Sequence, residues 1–592
     1  MSHEKADEKR AEKIIEAKET NLNKLFSSDF KYKIPFYQRP FSWGETQFDL
    51  LIDSILESMN NVEGHFLGAI LLQEKSPGKY DLVDGQQRIT ALAILMAVIR
   101  DNTDSGDIQQ EMQKCIYQEE NKLRRLHESM RIQPWEKTES LFRKYIFTSH
   151  GTEQYIEDFN TGKIDYNNDV ESPEFHLYEA IKTFREKLPK EPNELWNFVY
   201  HMLNDVYMVY MITKSDLNSA FRLFHTLNTA GLDLSPSDIL KAENLGVIEG
   251  DKMQRQYADI WQSIEDELGR SALSDIVSFI RTIKKKEKAK FGIYQEYQEI
   301  FASGSLERGS KFIDYVKEIA QIYREKVVDP NIKGSDSKGN SKYKATVNLM
   351  NRFILFTDWI PPLIAFYYKF RLDDQMASFL SRLEKKIIVE WVANFSETER
   401  LTSIGRLIKT IEEEATPGAV LGKMLTQKSP ETTKVRVIDF SNDTASKELL
   451  LKALNDKRFY FLHSGKLARY LLLRTDMRMW ELENFSGYPG TVTVEHILPQ
   501  TPDINGEWVS LFTKEERDEW TNRIGNLVLL SRRKNSRAQN YDFLRKKDIY
   551  FKESSTYFRI TREIEDIPKW TLKELKERDS SLVDRVLSIY CQ

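Results

Sequence analysis

Cysteine is nearly absent from this chain: Cys115 and Cys591 are its only two in 592 residues. Two thiols build neither a disulfide framework nor a four-cysteine zinc site. Long apolar runs are missing too. The longest, "FILFTDWIPPLIAFYY" (353–368), is broken by Asp358 and by Pro361-Pro362, so it reads as a buried helix pair or turn and not as a membrane span. The opening "MSHEKADEKRAEKIIEAKE" has no apolar signal core and reads as a solvated Lys/Glu helix. A cytoplasmic protein without a membrane partner is therefore expected. No strong excess of one charge exists either, because 86 Lys and Arg face 91 Asp and Glu for a net −5. That excludes a chain coating nucleic acid along its whole length, while local basic grooves remain open to it. No repeat of fixed period is found.

What is present is a long globular chain, 40% hydrophobic and 30% charged, which calls for roughly two to four domains. Its expected fold class is α+β, predominantly helical. In the first quarter, "KYKIPFYQRPFSW" (31–43) is extended and "ETQFDLLIDSILESM" (45–59) has helical spacing. "HFLGAILLQ" (65–73) and "YDLVD" (80–84) read as strands joined by a Ser-Pro-Gly turn, and "QQRITALAILMAVIR" (86–100) as a buried helix. From about 110 to 415 the pattern is almost wholly helical, and residues 412–434 form a Pro/Gly/Thr-rich linker. "GSLERGSK" (304–311) spaces its glycines like a P-loop but ends Ser-Lys and follows no strand, so it is a helix connection.

Two constellations carry chemistry. Asp84 and Gly85 sit where a strand turns into a helix. The glycine allows close backbone approach, and the first-turn N–H groups behind it have no partner within the helix, so a phosphate can sit there. Arg88 can add a bidentate contact, and Asp84 can hold a divalent ion. The plainer alternative is an N-cap, a turn glycine and a solvated arginine. Gln38 and Arg39 lie between aromatic residues, and serve either as phosphate binders or as supports for the corner. Farther on, "FRLFHTLNTAGLDLSPSDILKAENL" (221–245) joins an aromatic helix to an Asn-Thr-Ala-Gly turn and a capped helix start.

The second constellation begins at "VTVEHILPQ" (492–500), a β-branched strand ending in Glu495-His496. The pair is either an ordinary surface pair on an edge strand or a general base beside a metal ligand. "IGNLVLLSRRKNSRAQNYDFLRKK" (524–547) supplies a second strand and an arginine-rich helix. Strand, loop, strand and helix in that order form the layout of a ββα-metal (HNH, His-Me finger) nuclease. His496 would take a proton from water, and Glu495 and Asn535 would hold magnesium or manganese, with Asn540 the other helix candidate. Asn526 would tie the loop that orients His496. Residues 531–547 hold seven Lys/Arg against one acid, so Arg532, Arg533, Lys534, Arg537 and Lys546 are expected to face the DNA backbone.

"IPFYQR", "DGQQR" and "FHTLNTAGLDLSPSD" occur in order in the first 245 residues, and "EHILPQ", "IGNLVLL" and "NSRAQNYDFLRKK" in the last 170. Together they resemble the ParB-like N-terminal domain and the H-N-N nuclease domain of the single-chain Gmr-type (GmrSD-like, type IV) modification-dependent restriction enzymes. The resemblance implies three regions: a ParB-like nucleotide-binding and modification-sensing domain (1–250), a helical spacer (251–425) and an HNH-like nuclease domain (426–592). It implies a nucleoside triphosphate, whether ATP, GTP, UTP or CTP, bound and hydrolysed at Asp84, Gly85, Gln86, Gln87 and Arg88 with Gln38 and Arg39. The implied substrate is double-stranded phage DNA with modified cytosine, cleaved by a chain that assembles as a homodimer. Two alternatives stand beside this: a phosphorothioate-sensing nickase with the same domain pair, and a non-cleaving, nucleotide-switched DNA-binding protein.

Overall fold

Aliphatic residues fill the middle of "HFLGAILLQEKS", where Ile70, Leu71 and Leu72 have no solvent exposure. Such a segment is a strand covered on both faces. In the computed structural model it lies inside a six-stranded mixed sheet. The structure describes residues 15–591 except 36–37, 39, 60–63, 121–126, 167, 171, 214–235, 334–336, 425–435, 439, 441–442, 483–484, 486 and 553–556. The chain divides into two compact units, one of residues 1–262 with 308–313 and one of 263–307 with 314–592. The helical middle from residue 263 onward thus largely belongs to the same unit as the C-terminal stretch.

The first unit carries β1 (Ile15–Asn21), β2 (Lys31–Lys33), β3 (His65–Ser76), β4 (Lys79–Asp84), the two-residue strands β5 (Tyr117–Gln118), β6 (Ser129–Met130) and β7 (Ile132–Gln133), and β8 (Val206–Thr213). Sheet order is β1-β8-β3-β4-β2-β7. β3 and β4 pair antiparallel around the expected turn, β4 runs parallel to β2, and β8 runs parallel to β3 and antiparallel to β1. Helix α1 (Glu45–Ser58) covers the sheet with Phe48, Ile52 and Ile55. Helix α2 (Gln86–Asp101) is buried around its whole circumference, which makes it the axis of the core.

Two expectations fail here. The Lys/Glu-rich opening is not helical where it is described: Ile15–Asn21 forms an edge strand. Its helix propensity is worth tenths of a kcal/mol per residue, and seven backbone pairings with β8 outweigh it. β8 itself interrupts a region expected to be helical, because "VYMVYMIT" is β-branched and aromatic and fits a pleated surface.

The second unit is helical around one hairpin, β9 (Val492–His496) against β10 (Leu527–Ser531). Helix α3 (Met376–Val392) and helix α4 (Lys466–Met477) are joined by a buried pair in which Glu384 accepts from Arg474 at 2.8 Å. The proline-broken apolar run resolves into one helix ending at Phe353 and another over Ile360–Phe370. Helix α5 (Arg532–Ala538) follows β10 directly, then α6 (Phe543–Lys547) and the long α7 (Leu572–Tyr590). Predominantly helical α+β is therefore the observed class. No described helix is long and apolar enough to cross a membrane.

Candidate functional site

Strand β9 delivers the Glu-His pair because its β-branched residues hold it in register: Leu527 faces His496, and Val528 faces Glu495. The two residues close the strand, and Lys546 reaches both, the Glu495 carboxylate at 2.7 Å and the His496 carbonyl at 2.6 Å. The chain after β9 is fixed by Asn526, which is fully buried. Its amide nitrogen donates to the carbonyls of Leu498 (2.8 Å) and Thr521 (2.7 Å), and its oxygen accepts from Leu498 N–H (2.8 Å). Asn526 spends its polar capacity on the loop, not on the histidine. A Cβ at Gly525 would stand 2.5 Å from the Asp579 side chain of α7. Only glycine allows Asp579 to accept from the Gly525 N–H at 2.9 Å and to pair with Arg523 at 2.7 Å.

His496 is held by Asn522, a residue that the sequence pattern did not single out. Its Nε2 lies 3.1 Å from Asn522 Oδ1, which also accepts from Gln500 Nε2 at 2.9 Å. An amide oxygen only accepts, so His496 donates from Nε2 and keeps its lone pair on Nδ1. The ring of Tyr460 packs edge-on against the imidazole at 4.5 Å. Burial depresses the imidazole pKa to about 4, aided by the Lys546 ammonium and opposed by the Asn522 hydrogen bond. The ring is neutral at neutral pH, as a proton acceptor must be.

Glu495 Oε1 accepts from Lys546 Nζ (2.7 Å) and from Tyr550 O–H (3.2 Å). Lys546 also donates to the His496 carbonyl at 2.6 Å. Burial pushes the Glu495 carboxyl up and the Lys546 ammonium down, each toward its neutral form, and their mutual attraction opposes both shifts. Lys546 therefore corrects the expectation of a DNA-facing cation. It has no solvent exposure, because its position on α6 places it on the same buried side as Phe543. Lys534 is half-buried with its Nζ on the Tyr550 carbonyl, whereas Arg532, Arg533 and Arg537 are exposed along α5.

Asn535 donates from Nδ2 to the Val494 carbonyl of β9 at 3.0 Å, which leaves its Oδ1 as an acceptor beside the residue preceding Glu495. Asn540 is exposed and bonds Thr501 at 3.1 Å. Among the described residues no three His, Cys, Asp or Glu side chains gather as a metal cage. The donor set still fits a hard divalent cation, because Glu495 engages its neighbours through Oε1 and Asn535 keeps an amide oxygen. Magnesium readily takes the rest of its coordination from water and phosphate.

In the first unit, Gly85 adopts φ 84°. A Cβ there would be 2.5 Å from Ile70 Cγ2 on β3, so the corner requires glycine twice over. Gly85 offers no side-chain cap to α2, as is usual where a helix N-terminus faces an anion. Two glutamines clasp the corner to the preceding segment. Gln38 donates to the Val83 carbonyl (2.7 Å), and Gln87 accepts from Ser42 N–H (2.9 Å) while donating to the Pro40 carbonyl (2.9 Å). Through these bonds both side chains support the corner. Arg88 donates to the Ala69 carbonyl at 3.2 Å, and burial lowers its pKa against the pull of Asp84. Asp84 ends β4, and Gln86 is buried at the start of α2. Arg39 and the "FHTLNTAGLDLS" stretch lie outside the described residues.

The family model of the GmrSD restriction endonuclease N-terminal domain matches residues 22–245, and that of the GmrSD restriction endonuclease C-terminal domain matches residues 444–585. The chain belongs to the GmrSD restriction endonuclease family. No curated protein matches the sequence. Both constellations fall inside the matched segments, the Asp84–Arg88 corner in the first and the β9–β10 hairpin with α5 in the second. Membership makes the chain a restriction endonuclease, a DNA-cleaving protein of defence. Asn522, Tyr460 and Tyr550 are the residues that sequence reasoning missed. A side-chain acceptor for His496 was foreseeable, but nothing in the local pattern marks Asn522 among its neighbours.

Proposed function

We propose that this GmrSD-type enzyme recognises DNA carrying modified cytosine and hydrolyses its phosphodiester bonds at the Glu495-His496 hairpin, gated by nucleotide at the Asp84–Arg88 corner. The observation that carries the nuclease reading is the tether of His496 Nε2 to Asn522 Oδ1, which leaves Nδ1 as the proton acceptor. In this reading Nδ1 takes the proton of the attacking water. A phosphate anion beside the ring raises the imidazole pKa from about 4 toward the working pH and strengthens the base. Glu495 and Asn535 would hold magnesium or manganese, which supplies neutralisation of the charge growing on the phosphate and on the departing oxygen. Lys546 fixes the Glu495 carboxylate and the His496 backbone together, so both reacting groups keep one geometry. Arg532, Arg533 and Arg537 contact the DNA backbone.

A nucleoside triphosphate would sit at the first turn of α2, with Asp84 and Arg88 beside it, its hydrolysis shifting the assembly of a homodimer. Cleavage of matched phage DNAs that differ only in cytosine modification, with and without nucleotide and magnesium or manganese, tests the reading. Cutting confined to modified DNA and dependent on nucleotide is the expected result. Cutting blind to modification, or unchanged in Asp84→Ala, overturns the specificity and the gating respectively. DNA left intact under every condition overturns the nuclease reading.

A further inference from the structure

The turn that covers the catalytic histidine has a second face. Tyr460 packs its ring against His496, and its N–H donates to the Asn522 carbonyl at 3.0 Å. The next side chain, Phe461, packs edge-on against the Tyr460 ring at 5.5 Å and is itself 50% exposed. The backbone that follows holds this pair in place. His463, Ser464 and Gly465 follow one another at φ 51°, 56° and 77°, a sparsely populated backbone that persists only where its surroundings over-determine it. His463 Nε2 lies 2.7 Å from the Trp391 carbonyl, and a Cβ on Gly465 would press on the Tyr460 ring at 3.2 Å.

Phe461 forms one wall of an open pocket of about 650 Å³, within the ~300–1,000 Å³ range of small-ligand sites. Ile504, 81% exposed at a loop tip, stands on its rim. Asn522, the residue that bonds His496, lies in its lining with Gln500, and Lys514 and Arg517 supply two cations against the single acid Asp518. Apolar side chains held out to solvent, amides beside them and cations around them are the elements of a nucleobase site. Aromatic faces stack bases, apolar residues enter between base steps, and cations meet the flanking phosphates.

We infer that this pocket receives a single nucleobase, unstacked from the bound DNA next to the bond to be cut, with Phe461 as its stacking platform and Ile504 as the wedge that opens the step. The inference rests on the nuclease reading for its substrate class. Through Asn522 an occupied pocket lies one hydrogen bond from the base that activates water, so base capture and chemistry share a residue.

The test uses the full chain without divalent metal and short cytosine, methylcytosine and glucosylated hydroxymethylcytosine duplexes, with an abasic site moved position by position. Binding is followed by fluorescence anisotropy. Phe461→Ala is expected to weaken binding roughly tenfold, and Phe461→Trp to restore it. At one position the abasic site should weaken the wild type by a similar factor and Phe461→Ala no further, as expected for two halves of one contact. Thermal midpoints of both variants should match the wild type, since the side chain is half exposed. Unchanged affinity in Phe461→Ala, or losses that multiply at every abasic position, overturns the inference. Cleavage of the intact duplexes by the wild type with magnesium or manganese is scored separately. Cleavage with an inert Phe461 sinks the base pocket alone, and absence of cleavage sinks the nuclease reading.

Discussion

The two ends of the chain handle their motif residues differently. At the N-terminal corner most of the conspicuous polar groups serve the fold: Gln38 and Gln87 close a clasp on backbone atoms, and Arg88 leans on β3. At the C-terminal hairpin Asn526 plays the clasp, with Asn535 and Lys546 each adding a bond to the backbone of β9. The first set of side chains thus ties the corner to its own chain, and the second gathers around the Glu-His pair. A motif residue's type does not reveal which duty it has; its hydrogen-bond partners do.

The sharpest break of this contrast is His496→Ala. Loss of a general base should lower cleavage by roughly 10²–10⁴-fold while the thermal midpoint stays near that of the wild type, as plasmid-cleavage rates and circular dichroism would record. Next is Lys546→Met, which leaves Glu495 buried without its partner. Destabilisation of about 3–5 kcal/mol is expected in chemical denaturation. Adding Glu495→Gln should recover most of it, and absence of recovery would mean that the ammonium serves another group. Acid should act on the second unit in the same direction. The fold favours neutral His496, whose pKa falls from 6.5 to about 4. The unfolded chain therefore binds the extra proton first, and up to ~3 kcal/mol of stability is lost as pH drops through that window. In His496→Gln this part of the pH dependence should vanish.

At the other end, Gly85→Ala meets Ile70 and a left-handed backbone, so it should destabilise the first unit by at least ~1–2 kcal/mol. Nucleotide binding, followed by calorimetry, should weaken with it. Gln87→Leu is expected to be milder, about 1–3 kcal/mol, because it strands the Ser42 N–H and the Pro40 carbonyl. If Gln87→Leu instead abolished nucleotide binding at unchanged stability, the clasp would be a ligand site and the contrast would close.

Much of this was legible in the chain. β-branched alternation in "VTVEH" located β9, and the apolar run after Asn526 located β10. Turn chemistry located the β3–β4 corner and α2. What escaped has a common cause, since it depends on partners distant in sequence. Asn522 and Tyr460 reach His496 only after the loop folds back. Burial of Lys546 depends on which side of α6 faces β9. β8 is a strand because two other strands wait for it, and Ile15–Asn21 escapes its helical composition for the same reason.

That central strand also sets a timetable. β1 leaves the ribosome first, yet its pairing partner is residues 206–213, and β3 keeps an open edge until the same segment emerges. The sheet of the first unit therefore cannot be completed before residues 206–213 have been synthesised. A chain interrupted before Val206 would present two unsatisfied strand edges, a template for aggregation that the finished protein conceals.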